Sequence, residues 1–205
     1  MKGIKKFKLL FVALGLMLVL VACGEKGVEN NSNNVISTNS ESSTNSKETK
    51  TYKSEDLGME FSYNSNFNDV EDLSQVELLK NEDGTSYDTE GIEKVLKNDN
   101  EEVILISSED SKGSTIEDLK STIDQIKSLF ESVSTDNQLE YVINSNDIIE
   151  INGSKMLKTE MTTSNIKTYM LSFIKNNKII SIQYVSENNN YNEENINTVT
   201  ESLKV

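Results

Sequence analysis

The chain has 205 residues and an acidic composition, with 34 Asp and Glu against 20 basic residues, all of them Lys, and a formal net charge of −14. This charge argues against nucleic acid as a partner, because the phosphate backbone binds basic surfaces. The chain has no His and one Cys, which excludes a Ser-His-Asp or Cys-His nucleophile pair, an ordinary Cys/His zinc site and an internal disulfide.

Residues 1–23 have the pattern of a bacterial lipoprotein signal. Four lysines precede an apolar run of 13 residues from Leu9 to Val21, which is too short to cross a bilayer as a helix. The following Ala22-Cys23 completes a sequence that resembles a lipobox, so we expect cleavage before Cys23 and diacylglycerol on its thiol. Two acyl chains hold a protein stably on a membrane. An uncleaved anchor is the alternative and predicts the same location, the extracytoplasmic face of the cell membrane.

Residues 23–50 are predicted to form a disordered tether after the signal peptide at 1–22. The segment is mostly Asn, Ser, Thr, Glu and Lys, and it has too few apolar side chains to bury. Residues 51–205 suit one globular domain. The abundance of Asn, Lys and Ile without Arg is typical of an AT-rich genome and indicates a Gram-positive bacterium.

The first half of the domain contains two predicted strands. Met59, Phe61 and Tyr63 alternate with polar residues, and Val103 to Ile106 is a short β-branched run, so we expect both strands in one sheet. Gly91 to Lys97 is predicted as a short helix with its apolar side chains inward.

An acidic stretch between these strands is a candidate calcium site. Asn81-Glu82-Asp83-Gly84 predicts a turn, but an EF-hand alignment places Leu79 at the first ligand position, which excludes that motif. A looser site would use four residues with oxygen ligands: Asn81, Asp83, Asp88 and Glu90. The alternative is a solvated acidic turn that binds no metal, and no other cofactor is expected.

Two amphipathic helices are predicted. Ser114-Thr115-Ile116-Glu117 has capping-box spacing and precedes an apolar stripe with helical period: Ile116, Leu119, Ile123, Ile126, Phe130 and Val133. Residues 193–203 repeat the pattern with Ile196, Val199 and Leu203. Both stripes are interpreted as core that packs on the sheet, although a partner-binding face is the alternative for the first.

Two hairpins are predicted in the second half. Asn152-Gly153 is a favoured turn pair that joins strands on either side, and Asn176-Asn177 separates residues 166–174 from 178–185. A two-residue loop aligns Lys175 with Lys178, Phe173 with Ile180, Leu171 with Ile182, and Tyr169 with Tyr184.

The order of these features resembles the PsbP/Mog1-like domain. The residues concerned are Gly58, Phe61 and Tyr63 in the early strand, Ile151-Asn152-Gly153 at a hairpin, and Ser202 to Lys204 after the last helix. The resemblance implies an α+β fold with a single antiparallel sheet covered by helices in an αβα sandwich. It also implies non-catalytic work. A proline common after the first strand of such domains is replaced by Asn64-Ser65-Asn66.

Three functions remain open from the sequence. The first is a surface binding or assembly module for an envelope protein or small ligand. Its candidate contact is the hairpin tip, formed by Lys175, Asn176, Asn177 and Lys178. The alternative is that the two lysines only protect the end of the hairpin from pairing with another strand. The second is a LolA-like or cystatin-like carrier with an open apolar groove at Tyr169, Leu171, Ile180 and Ile182. The third is an envelope hydrolase that uses converging carboxylates.

Overall fold

The computed structural model describes residues 48–73, 76, 89–133, 141–163, 166–187 and 191–205. Residues 1–47, which include the predicted signal, Cys23 and most of the tether, lie outside these ranges. In chain order the described elements are β1 (Thr49–Ser54), β2 (Met59–Asn64), β3 (Asn68–Asp69), β4 (Ile92–Lys97), β5 (Val103–Asp110), α1 (Ile116–Val133), β6 (Tyr141–Ile151), β7 (Ser154–Thr163), β8 (Ile166–Lys175), β9 (Lys178–Glu187) and α2 (Glu193–Ser202). Neither described helix is long and apolar enough to span a bilayer.

Seven of the strands form one antiparallel sheet in the order β3-β4-β5-β9-β8-β7-β6. The predicted α+β class is confirmed, with strands predominating. β1 and β2 form a separate two-stranded sheet, in which Glu60 of β2 is also bridged to Lys204, so the prediction that Met59, Phe61 and Tyr63 join the main sheet is wrong. One face of β2 packs on the main sheet and buries these three side chains. The alternation of apolar and polar residues therefore results from face packing and needs no pairing with an edge of the main sheet.

The β8–β9 hairpin has the predicted register. Lys175 pairs with Lys178, Phe173 with Ile180, Leu171 with Ile182, and Tyr169 with Tyr184. Asn176 and Asn177 have φ values of 50° and 62°, the left-handed conformation that a two-residue turn between twisted strands requires. Asn152 and Gly153 repeat this geometry between β6 and β7, with φ values of 49° and 81°.

The segment predicted as a helix at Gly91 to Lys97 is a strand instead. Val95 and Leu96 are both buried, but they belong to hydrophobic clusters on opposite faces of the sheet. The pairing of β4 with β5 is also irregular between Ile92 and Lys94. β4 is covered on both faces and contains a bulge, so its apolar residues have the spacing of one face of a helix. This spacing explains why the sequence predicted a helix here.

α1 packs on one face of the sheet, against β6 and β7. Its predicted apolar stripe is core, since Ile116, Leu119 and Ile123 are buried among strand side chains. The cap lies one residue later than predicted. The Thr115 hydroxyl accepts a bond from the Asp118 amide at 3.2 Å, and the Asp118 carboxylate accepts one from the Thr115 amide at 2.8 Å.

The opposite face is covered by α2 and by the β1–β2 hairpin. Ile196, Val199 and Leu203 are buried in the same cluster as Leu171 and Ile182. The space left between α2 and the sheet is about 10 Å³, enough for at most one water molecule. In the described part of the chain, α2 therefore covers the sheet face that the carrier hypothesis expects to be open.

β1 includes two residues that precede the predicted domain boundary at residue 51. Thr49 and Lys50 belong to β1 and pair with Asn64 and Tyr63. The Lys50 ammonium also donates to the carbonyl of Phe67 at 2.7 Å. The apolar pattern missed these residues because their contacts are made by the backbone and by a lysine.

Candidate interaction sites

The predicted contact at the β8–β9 tip is held against neighbouring turns. The Lys175 ammonium donates to the Gly58 carbonyl at 2.7 Å, and the Asn177 carbonyl accepts a bond from the Ser111 amide at 2.7 Å. Lys178 lies 4.0 Å from a carboxylate oxygen of Glu93. The structure thus brings the four tip residues together, but it uses them largely for internal contacts.

A cavity of about 480 Å³ opens beside this tip, where four parts of the chain meet. Its lining comes from the start of α1, the start of β7, the end of β8 and Val205: Ser114, Thr115, Ile116, Ser154, Lys155, Phe173, Ile174, Lys175 and Val205. Its two lysines both have partners, since Lys155 faces Glu117 at 3.6 Å and Lys175 donates to the Gly58 carbonyl.

A second cavity of about 480 Å³ forms a groove between α1 and β6. It is lined by Glu117, Lys120, Ser121, Asp124, Gln125, Ser128 and Ile148. Lys120 donates to the Asp124 carboxylate at 2.6 Å and Asn146 donates to it at 2.8 Å, and these bonds lower the pKa of that carboxyl. Asp124 is therefore charged at neutral pH.

A large hydrophobic side chain is exposed toward one end of this groove. Leu129 on α1 is 60% exposed. It lies toward the start of β6 because α1 and β6 run antiparallel: Glu117 is near Lys155 just beyond β6, and Asp124 bonds Asn146. Val142 on β6 is 53% exposed but lies on the opposite face of the sheet, since the adjacent Ile143 is buried against α1. We call the groove, Leu129 and the outer edge of β6 the α1–β6 surface.

A buried acid forms a polar cluster on the other side of the molecule. Glu102, only 4% exposed, accepts bonds from Asn98 Nδ2 at 2.6 Å, Asn195 Nδ2 at 2.9 Å and the Asn192 amide at 3.1 Å. Burial, followed by its hydrogen bond to Glu102, raises the pKa of Tyr184. This cluster joins β4, β5 and β9 to the start of α2. Sequence reasoning missed it because its members are scattered over 98 positions from Asn98 to Asn195.

Glu109 and Glu102 do not form the converging pair that the hydrolase hypothesis requires. Burial raises the pKa of the Glu109 carboxyl, the direction a general acid requires. The buried acid Glu102 is seven residues away along the same extended segment, or about 23 Å at the usual strand rise. That separation is more than twice the spacing of about 10 Å at which paired carboxylates act on a glycosidic bond.

The calcium candidates fall largely outside the described residues. Asn81, Asp83 and Asp88 are among the positions left undescribed, and only Glu90 is within them. In the described part of the chain no group of three or more acidic, His or Cys side chains is arranged to hold a metal.

Comparison with known proteins found similarity in structure only. The chain resembles the solution structure of the cyanobacterial PsbP protein CyanoP from Synechocystis, with 12% identity and a TM-score of 0.49, over 82% of this chain and 98% of that one. This is the family whose domain the sequence resembles. A crystal structure from Bacteroides thetaiotaomicron is similar over 72% of this chain and 44% of its own, with 12% identity and a TM-score of 0.41. No family profile and no curated protein matches the sequence.

Proposed function

We propose that this protein is a lipid-anchored, non-catalytic binding module of the bacterial cell envelope with a PsbP-like αβα domain. Cys23 would carry the diacylglycerol that holds it at the extracytoplasmic face of the membrane, and residues 24–47 would act as the tether. The domain would bind an envelope protein or small ligand and would need no cofactor. The lipobox supports the anchor, and the tertiary structure supports binding at the outer surface.

The observation that carries this proposal is the filled interior of the domain. α2 closes the sheet face that a carrier of lipid or peptide would leave open, so that about 10 Å³ remains there. The two cavities of about 480 Å³ instead lie on the outside, at the ends and flank of α1. Contacts with a partner would therefore be made at the surface of a rigid domain.

The first experiment tests the anchor. Metabolic labelling with a clickable fatty acid should mark the wild-type protein and place it in the membrane fraction, whereas Cys23→Ser should be unlabelled and released. A labelled, membrane-bound Cys23→Ser protein would contradict the anchor.

The second experiment tests binding without turnover. The lipidated protein, isolated from cross-linked membranes, should carry a specific envelope component, and the purified component should rebind it saturably. Saturable hydrolysis of wall glycan or peptide by the purified protein would overturn the non-catalytic assignment.

A further inference from the structure

We propose that the α1–β6 surface binds an extended, lysine- or arginine-bearing segment of a partner protein, which adds a strand to the outer edge of β6. This inference rests on the proposed function, for which it names the surface and the chemistry of the partner. Strand addition of this kind draws affinity from main-chain hydrogen bonds and specificity from alternate side chains.

The edge of β6 is long and has few of the usual protections. β6 is the last strand of the sheet, and among the described residues no strand pairs with its outer side. Its 11 residues include no Lys and no Pro, the residues that commonly block edge pairing. Beyond the irregularity between Ile143 and Ser145, residues 145–151 pair regularly with β7 and span about 23 Å, the length of an ordinary strand.

The groove beside this edge suits long basic side chains. Side chains alternate across a strand, so every second residue of an added strand would lie over the groove. The apolar stem of a lysine or arginine would cover Ile148, and its charged end would reach Glu117 or Asp124. Both acids already face a lysine, but their side chains are 59% and 46% exposed, and exchanging such exposed ion pairs costs little.

The groove is formed before any partner arrives. The side-chain amide of Asn146 on β6 donates to the Lys120 carbonyl at 3.1 Å and to Asp124 at 2.8 Å, and its Oδ1 atom accepts a bond from the Thr159 hydroxyl at 3.0 Å. These bonds hold α1 at a set position along β6. Binding of a partner would therefore cost little conformational entropy in this protein.

Charge favours a basic partner over a second copy of this chain. β6 carries Asp147 and Glu150 and no basic residue, so pairing two β6 edges would bring like charges together. The net charge of −14 opposes self-association further. The exposed Leu129 lies toward one end of the groove, where an apolar residue of the partner segment would complete the contact.

The test uses the lipidated full-length protein in nanodiscs and a fluorescent ten-residue peptide of alternating lysine and threonine. We expect saturable binding by anisotropy, weakened by salt, together with slower hydrogen exchange of the amides of residues 145–151. Glu117→Lys and Glu150→Lys, both on the α1 side of the sheet, should each weaken binding by about tenfold, since like charges would then face the lysines of the peptide. Glu201→Lys makes the same change at an exposed position on α2, across the sheet, and should change affinity less than about twofold.

A peptide with alternate backbone amides N-methylated is the matched control for the main-chain bonds, and it should not bind. Absence of binding by the unmodified peptide would overturn the proposal. The proposal would also be overturned if the methylated peptide bound equally well, if hydrogen exchange in β6 did not change, or if Glu201→Lys had an equal effect. Each of these results would show only non-specific charge attraction. The proposed function is tested separately, by the recovery and rebinding of an envelope component described above.

Discussion

Glu102 is a buried acid that accepts hydrogen bonds from three amide groups. Its Oε2 atom accepts from both Asn98 and Asn195, and its Oε1 atom accepts from the Asn192 amide at the start of α2. Asn195 also donates to the Tyr184 hydroxyl at 3.0 Å. A carboxylate suits this position because it accepts bonds at both oxygens and donates none.

Glu102→Gln should lower the free energy of unfolding by about 1–3 kcal/mol. The new amide nitrogen would face donors in place of an acceptor, which leaves buried N–H groups unpaired. Asp99→Asn is the control, since Asp99 is exposed in the same turn, and it should change stability by less than about 0.5 kcal/mol. Urea unfolding measures both. Equal losses would show that the Glu102 cluster does not stabilise the domain.

Gly58 lies directly under the side chain of Lys175. Its φ is +63°, and an added Cβ would come 2.8 Å from Lys175 Cε. Gly58→Ala should cost more than the roughly 1–2 kcal/mol expected from the left-handed backbone alone, because the Lys175 ammonium would have to leave the Gly58 carbonyl to which it donates.

Gly153→Ala isolates the backbone cost, because Gly153 has a φ of +81° and no atom within 4 Å of the added Cβ. A double-mutant cycle of Gly58→Ala with Lys175→Ala, followed by urea unfolding, should show a combined loss smaller than the sum of the single losses. Strict additivity would contradict the contact between the two residues.

At the scale of secondary structure elements, the start of α1 shows how a local pattern leaves two capping positions open. Ser114 with Glu117 and Thr115 with Asp118 have the same spacing, but only the second pair exchanges hydrogen bonds. Ser114 instead donates its amide to the Ser111 carbonyl at 2.8 Å, in the turn that follows β5. The path of the chain after β5 therefore determines which residue caps α1.

Thr115→Ala should destabilise the protein by about 1 kcal/mol, the usual cost of losing an N-cap side chain. Ser114→Ala is the neighbouring control and should cost a few tenths of a kcal/mol at most. Urea unfolding followed by circular dichroism at 222 nm compares the two. A larger loss for Ser114→Ala would place the cap where the sequence predicts it.

At the scale of the whole molecule, buried tyrosines set the response to alkaline pH. Burial raises the pKa of Tyr184 above the value of about 10 for a free tyrosine, and it raises the pKa of Tyr191 to about 12. The folded state therefore holds these phenol protons more tightly than the unfolded state. Their contribution to stability is complete below about pH 10 and is lost as the pH rises through the folded pKa values.

We expect stability to change little between about pH 7 and 9, because the chain has no His, and to fall above about pH 10. Urea unfolding at a series of pH values, with tyrosinate absorbance at 295 nm, measures this. Tyr184→Phe should show a shallower fall above about pH 10, since one buried phenol is removed. An unchanged slope in that variant would contradict the role of Tyr184.

Features that depend on residues close in sequence were predictable. The turns at Asn152-Gly153 and Asn176-Asn177, the register of β8 with β9 and the apolar stripes of α1 and α2 each follow from a few neighbouring residues. Turn conformation and side-chain period are local properties, so the order of side chains is enough to read them.

Features that depend on contacts between distant residues were decided only by the tertiary structure. The separate β1–β2 sheet, the strand in place of a helix at residues 92–97, the filled groove under α2 and the α1–β6 surface all depend on which face each element covers. Alternating apolar residues suit a strand at the edge of a sheet and equally a strand that packs on the face of a sheet. Apolar residues with helical spacing suit a helix and equally a bulged strand that is buried on both faces. The sequence by itself thus determined the local elements and their hydrophobic faces, while long-range packing determined their arrangement and the surface left open to a partner.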